Sequence, residues 1–186
     1  MVAGAEKLNP KLVIFSGAPG TGKSTLADEI ARDLGAPNVA FDWLVAGLTP
    51  FADIKSVLDA MDRDVYRDVG YSLISQMVEK QLRNGQSVVL DCVVREPART
   101  RWGSIAARYG ALVFVVECIC SDVEVHRSRV DGRVRGIPGW YELEWRFVEI
   151  SRSNYVPLEG EKLVVDAVEP LTDNLARVRA YVEGDA

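Results

Sequence analysis

Leu12-Val13-Ile14-Phe15-Ser16-Gly17-Ala18-Pro19-Gly20-Thr21-Gly22-Lys23-Ser24-Thr25 decides how the rest of the chain is read. Four apolar residues lead into a glycine-rich turn, and Lys-Ser-Thr then opens an amphipathic run. From Gly17 to Ser24 the spacing is G-x-x-x-x-G-K-[ST], the pattern of a phosphate-binding loop (P-loop). A buried strand must deliver the chain to a loop that wraps an anion. Gly17, Gly20 and Gly22 permit backbone angles and close approaches that a Cβ would block. The amides of Ala18, Pro19–Gly20, Thr21, Gly22 and Lys23 can then line an anion nest, and the helix that follows adds its positive N-terminus. In this pattern Lys23 reaches the β- and γ-phosphates and Ser24 ligates Mg²⁺, with Thr25 next to it in the first helical turn.

Moving outward, apolar and polar runs alternate in a βα rhythm. A helix over 23–34 carries Leu26, Ile30, Ala31 and Leu34 at helical spacing, and Gly35 stops it. The run 38–41 reads as a second strand ending in Asp42-Trp43. Residues 49–63 suggest a short helix on a loop, which could form part of a substrate wall. Asp64 reads as the N-cap of a long helix carrying Val65, Val69, Leu73, Ile74, Met77, Val78 and Leu82. Strands follow at 87–90, 112–119 and 162–165, with helices at 97–109, 122–130, 141–155 and 173–183. The first ten residues read as a frayed start. This alternation predicts an α/β fold, a parallel sheet with helices on both faces, as one domain over residues 1–186. Ligands of such sheets sit beyond the carboxyl ends of the strands, where Gly17, Asp42, Asp91 and Asp166 all fall.

Composition narrows the class. The chain has 186 residues, 48% of them hydrophobic and 26% charged, which suits an ordinary globular domain. No run approaches the roughly 18 apolar residues of a membrane span, and the N-terminus lacks an apolar signal core. Cys92, Cys118 and Cys120 have no metal-ligand spacing and lie in or beside apolar strands, as buried reduced thiols of a cytoplasmic protein would. A net charge of −5 and a pI near 5.0 disfavour a nucleic-acid partner.

Three sets of residues could act beside the loop. Asp42, at a strand end, could take the proton of an acceptor hydroxyl, or serve as a helix N-cap. Asp91 ends Val88-Val89-Leu90 and could hold Mg²⁺, contact the substrate, or cap the strand in a polar turn. Arg95, four residues on, would share that rim and could bind a polar or anionic group of the acceptor, or lie on the open surface. Arg127, Arg129, Arg133 and Arg135 follow strand four in a segment broken by Gly132, Gly136 and Gly139. They read as a mobile lid over about 122–155, or as a solvated helix face. Arg129 and Arg133 are the choices within it. The lone His126 has no metal cluster or nucleophile beside it and is given no role.

Taken together, these motifs resemble the small P-loop kinases grouped with zeta toxins, chloramphenicol phosphotransferase and polynucleotide kinase, which are AAA-type ATP-binding proteins. The similarity rests on Gly17 to Thr25, Val39-Ala40-Phe41-Asp42-Trp43-Leu44, Val88-Val89-Leu90-Asp91 with Arg95, the R-x-x-x-R of Arg129 to Arg133, and Tyr155-Val156-Pro157-Leu158 through Asp166. It implies a three-layer P-loop NTPase fold with five parallel strands in the order 2-3-1-4-5 and a helical lid. It also implies Mg²⁺-dependent transfer of the ATP γ-phosphate to the hydroxyl of a small molecule. Lys23, Asp42, Arg129 and Arg133 would be catalytic, Ser24 and Asp91 would hold the metal, and Asp42, Asp91 and Arg95 would face the acceptor. Two other readings stay open: a kinase of nucleic-acid 5′-OH ends, and a nucleotide-dependent switch acting through a protein partner.

Overall fold

The structure is a computed structural model that describes residues 9–184, so most of the expected frayed start lies outside the described residues. Five parallel strands form one sheet in the order β2-β3-β1-β4-β5. They are β1 (Lys11–Ser16), β2 (Asn38–Ala40), β3 (Val88–Asp91), β4 (Leu112–Ile119) and β5 (Leu163–Asp166). The helices are α1 (Lys23–Leu34), α2 (Phe41–Ala46), α3 (Ala52–Ala60), α4 (Arg63–Arg83), α5 (Glu96–Arg108), α6 (Val123–Val130), α7 (Trp145–Ser153) and α8 (Leu171–Glu183).

The central strand explains the layers. Leu12 and Ile14 of β1 pack with Ile74, Val78 and Leu82 of α4 and with Trp102 and Ile105 of α5. Val13 and Phe15 point to the other face, against Leu26, Ala27 and Ile30 of α1 and Val178 and Val182 of α8. A strand buried on both faces has to be apolar along its middle, as Leu12 to Phe15 are. On the first face the Trp102 indole N–H donates to Ser75 Oγ at 3.0 Å, and the Ser75 hydroxyl donates to the Tyr71 carbonyl at 2.7 Å. The Tyr71 hydroxyl in turn donates to the Val93 carbonyl, which fixes the loop after β3.

Several boundaries differ from the sequence expectation. The second strand stops at Ala40, because Phe41 turns into α2 and puts its ring edge-on to Tyr66 and Tyr71, with centroids 6.0 Å apart in both cases. The cap of α4 is Asp62, whose carboxylate accepts from the Asp64 amide at 2.8 Å. Asp64 lies inside the first turn, where its charge suits the positive helix end and pairs with Arg67 at 2.6 Å. Only one side of the α4 stripe is used: Ile74, Val78 and Leu82 are buried, while Val65, Leu73 and Met77 are exposed. The expected helix over 141–155 contracts to α7, and residues 131–144 have no regular structure.

A buried polar chain ties β1 to the segment that returns from α7. The Val94 amide donates to Ser16 Oγ at 3.1 Å, and Tyr155 Oη lies 3.2 Å from that same oxygen. The Tyr155 hydroxyl donates to Glu117 Oε1 at 2.8 Å, which also accepts from the Leu158 amide at 2.9 Å. Lys162 completes the set, 2.8 Å from Glu117 Oε2. Burial raises the Glu117 pKa, but Lys162, Leu158 and Tyr155 outweigh it and hold the carboxyl below its ordinary value. All three cysteines are buried and free.

Gly70 lets α2 reach α4, since a Cβ there would stand 2.1 Å from Cε2 of Phe41. Gly70→Ala is expected to cost about 1–3 kcal/mol by overpacking, read as a lower urea midpoint at unchanged slope. An unchanged midpoint would mean that the Phe41 ring swings aside freely.

Candidate active site

The phosphate-binding pattern occupies the turn between β1 and α1, with Lys23, Ser24 and Thr25 in the first turn of the helix. Gly17, Gly20 and Gly22 have φ of 144°, 87° and 83°. Shape adds to the backbone demand at Gly17, because a Cβ there would stand 2.1 Å from the Cys118 carbonyl oxygen of β4. Inside the loop the Thr21 hydroxyl donates to the Ala18 carbonyl at 2.8 Å, and both side chains are buried. Lys23 is also buried, beneath the loop it follows.

Asp91 is the last residue of β3, in register with Phe15 on one side and Ala40 on the other. Its side chain is buried beside Lys23 and Ser24. Burial raises its pKa, and the Lys23 charge and the Ser24 hydroxyl oppose that rise, while the carboxylates of Asp42 and Asp28 add to it. A hydroxyl and a buried carboxylate side by side, with further negative charge near, match the oxygen donor set of a hard divalent cation, which would reverse the sign of the shift. The glycine cradle and the α1 N-terminus likewise fit a polyphosphate.

Asp42 lies in the first turn of α2, just past β2, and does not cap the helix, whose cap position is Ala40. Its carboxylate is held by the segment after α6 instead: Arg135 Nη1 donates to Asp42 Oδ2 at 2.7 Å. Arg135 is the arginine that the sequence reading passed over in favour of Arg129 and Arg133. Glu142 holds Arg135 in turn, accepting from its backbone amide at 2.9 Å and standing 3.4 Å from its Nε. The lid reaches the same region at two further points. Gly139 comes so close to Thr49 that a Cβ would meet its hydroxyl oxygen at 2.6 Å. Tyr141 and Asp42 both lie near Tyr66, whose phenol is pushed up first by burial and then by these two neighbours.

The other lid arginines are more exposed. Arg133 borders a small cleft with Gly20, Val130, Arg135, Glu142 and Leu143. Arg129 points the other way and donates to the Ala167 carbonyl after β5, and Arg127 pairs with Asp131 at 3.5 Å. Arg95 is the cap residue of α5 on the rim beside Asp91, and its Nε is buried with no hydrogen-bond partner among the described residues. Asp166, grouped with the strand-end acids, is occupied structurally: its Oδ1 accepts from the Ser121 amide at 3.1 Å and the Val168 amide at 3.2 Å. An apolar groove of about 300 Å³ on α3, lined by Asp53, Ile54, Val57, Leu58 and Met61, includes none of the expected site residues.

His126, given no role from the sequence, is buried against the phosphate-binding loop, with Nε2 2.8 Å from the Pro19 carbonyl. Neither that contact nor the Arg135–Asp42 pair has a local sequence signal. Both join residues 93 or more positions apart across the lid.

No curated protein sequence matches the chain. Among solved structures, an unliganded sugar kinase from Janibacter sp. HTCC2649 superposes with a TM-score of 0.69 at 15% identity, over 94% of this chain and 95% of that one. A gluconokinase from Sinorhizobium meliloti 1021 gives 0.65 at 18% identity, over 96% and 98%. An APS kinase from Mycobacterium tuberculosis, in complex with AMPPNP and APS, gives 0.66 at 19% identity, over 94% and 98%. These likenesses establish the P-loop NTPase α/β fold. A sequence model of the AAA domain matches residues 12–137, more than half the chain and the whole path from the phosphate-binding loop into the lid, and the chain belongs to that family.

Proposed function

We propose that the chain is an ATP-dependent phosphotransferase that moves the γ-phosphate of Mg-ATP to a hydroxyl of a small molecule, an antibiotic-, sugar- or nucleoside-like acceptor. The observation that carries this reading is a half-buried carboxylate, Asp42, near the buried Asp91 that stands beside Lys23 and Ser24. In that position a carboxylate can orient an acceptor hydroxyl and take its proton. The resemblance to the kinases grouped with zeta toxins and chloramphenicol phosphotransferase supports it, as do the kinase structures that share the fold.

Each role follows from position. Lys23 and the loop amides hold the phosphates. Ser24 and Asp91 would hold Mg²⁺, which would supply neutralisation of the phosphate charge. Arg135 engages Oδ2 of Asp42, leaving Oδ1 to accept from the acceptor hydroxyl. As the acceptor oxygen bonds to the γ-phosphorus, its proton passes to Asp42, the bond from phosphorus to the β-bridging oxygen breaks, and ADP leaves with that electron pair. Arg133, on the cleft beside Gly20, and Arg129, once released from Ala167, stabilise the charge spreading over the transferring group. Arg95 carries a buried Nε with no partner among the described residues, which suits an acceptor with a polar or anionic group.

The test is γ-phosphate transfer from labelled Mg-ATP to a panel of aminoglycosides, amphenicols, nucleosides, sugars, sugar acids and 5′-OH oligonucleotides. Label should appear on a small acceptor. Label confined to an oligonucleotide would replace this reading with an end kinase, and hydrolysis without any acceptor would replace it with a nucleotide switch. Lys23→Ala should abolish transfer. Asp42→Asn should lower kcat by about 10²–10⁴ with nucleotide affinity unchanged, and retained turnover would remove the general-base role. Arg135→Ala should lower kcat/KM for the acceptor by about tenfold while the nucleotide KM stays put, since the carboxylate loses the group that orients it.

A further inference from the structure

The chain's one histidine stands where α6, α7 and the phosphate-binding loop meet. Its ring is almost wholly buried and packs edge-on to Trp145 of α7, with centroids 5.4 Å apart. It has two polar partners: Nε2 lies 2.8 Å from the Pro19 carbonyl oxygen, and Nδ1 lies 3.3 Å from Arg152 Nη1 on α7. A carbonyl can only accept and a guanidinium can only donate. Only one state of the ring meets both demands, the neutral tautomer with hydrogen on Nε2 and a lone pair on Nδ1. Arg152 is itself anchored, donating through Nη2 to the Ser121 carbonyl at 3.1 Å.

The Pro19 carbonyl belongs to the peptide whose N–H is that of Gly20, and no described peptide bond is cis. In a planar trans peptide the C=O and N–H point in opposite directions. A donor that draws the Pro19 oxygen outward therefore turns the Gly20 amide inward, toward the anion nest. Without that donor the 19–20 peptide could rotate, and glycine at φ 87° offers little resistance. The ring also fills the space beside Gly20, where a Cβ would meet Nε2 at 3.0 Å.

We infer that His126 is a positioning residue for phosphate binding: held by Arg152 of the lid helix α7, it fixes the Pro19 carbonyl outward and so aims the Gly20 amide at the phosphates. The inference rests on the phosphate-binding reading of the loop and adds a physical route by which docking of α7 reaches it. The charges that face the ring are consistent with it. Burial lowers the His126 pKa most, the Pro19 carbonyl opposes that, and Arg152 from α7, Lys23 from α1 and Arg129 from α6 itself lower it further. The neutral ring that the geometry requires is therefore the state held at neutral pH.

The test is calorimetric binding of Mg-AMPPNP and of inorganic tripolyphosphate to the full chain, needing no acceptor. His126→Phe keeps the ring but has no donor, and should weaken both ligands about tenfold, the worth of one oriented hydrogen bond to a charged group. His126→Gln restores an amide N–H near the Nε2 position and should recover most of that loss. Arg152→Met should weaken binding in the wild-type background and have little further effect in His126→Phe, a non-additive cycle. Nitrogen NMR of the single imidazole should report hydrogen on Nε2 and a bare Nδ1 at neutral pH. His126→Phe binding as tightly as wild type, or Phe and Gln variants losing affinity equally, would overturn the inference while leaving the phosphate site intact. A wild-type chain that binds neither ligand would remove the phosphate-binding reading and this inference with it.

Discussion

The close passage of Gly17 over the Cys118 carbonyl sets the terms for everything around it. The chain leaves β1 and must turn at once, with a neighbouring strand's backbone inside the space a side chain would need. Meeting that constraint brings the β1–α1 turn down onto the sheet, so the α1 N-terminus opens at the carboxyl edge where β3 also ends. Asp91 is then beside Lys23 and Ser24 without any loop having to reach, because strand register alone puts it there. The cost is a carboxylate buried close to other acids, which the Lys23 charge and the Ser24 hydroxyl offset in part.

The segment from α6 to α7 meets this edge with polar contacts. Arg135 joins Asp42, Glu142 braces Arg135, and His126 with Arg152 touches the loop from behind. Gly132, Gly136 and Gly139 all have positive φ and interrupt residues 131–144, whereas the segment after α7 is pinned through Tyr155 and Glu117. His126 of α6 meets the phosphate-binding loop, and the stretch that follows meets Asp42 and Tyr66 through Arg135 and Tyr141.

The fold was legible because its cues are local and redundant. Apolar runs bounded by glycine marked the strands, and the resemblance implied the strand order that puts β1 at the centre. Where two signals competed, the boundary moved. Phe41 has a strand former's side chain but joins α2, since its ring finds more to pack against on α4. Of two acids suited to cap α4, Asp62 and Asp64, the chain uses the first. The strand-end acids were identified as a group, yet only the structure separates Asp91, beside Lys23, from Asp166, spent on backbone amides. The lid contacts were not legible at all. Arg135 and Arg133 are alike in sequence, and which one meets Asp42 depends on a turn closed by Glu142 seven residues on.

Cys92 and Cys118 have a consequence of their own. Cys92 directly follows Asp91, and Cys118 supplies the carbonyl beneath Gly17, so both thiols flank the phosphate-binding edge. Both are free and buried, and burial pushes the Cys118 thiol up to about 12 and the Cys92 thiol up as well. A thiol in that state reacts with alkylating reagents only when the structure around it opens. The molecule thus carries its own opening clock: the rate at which these sulfurs become labelled measures how often the edge of the sheet breathes, and a ligand that closes the edge slows it.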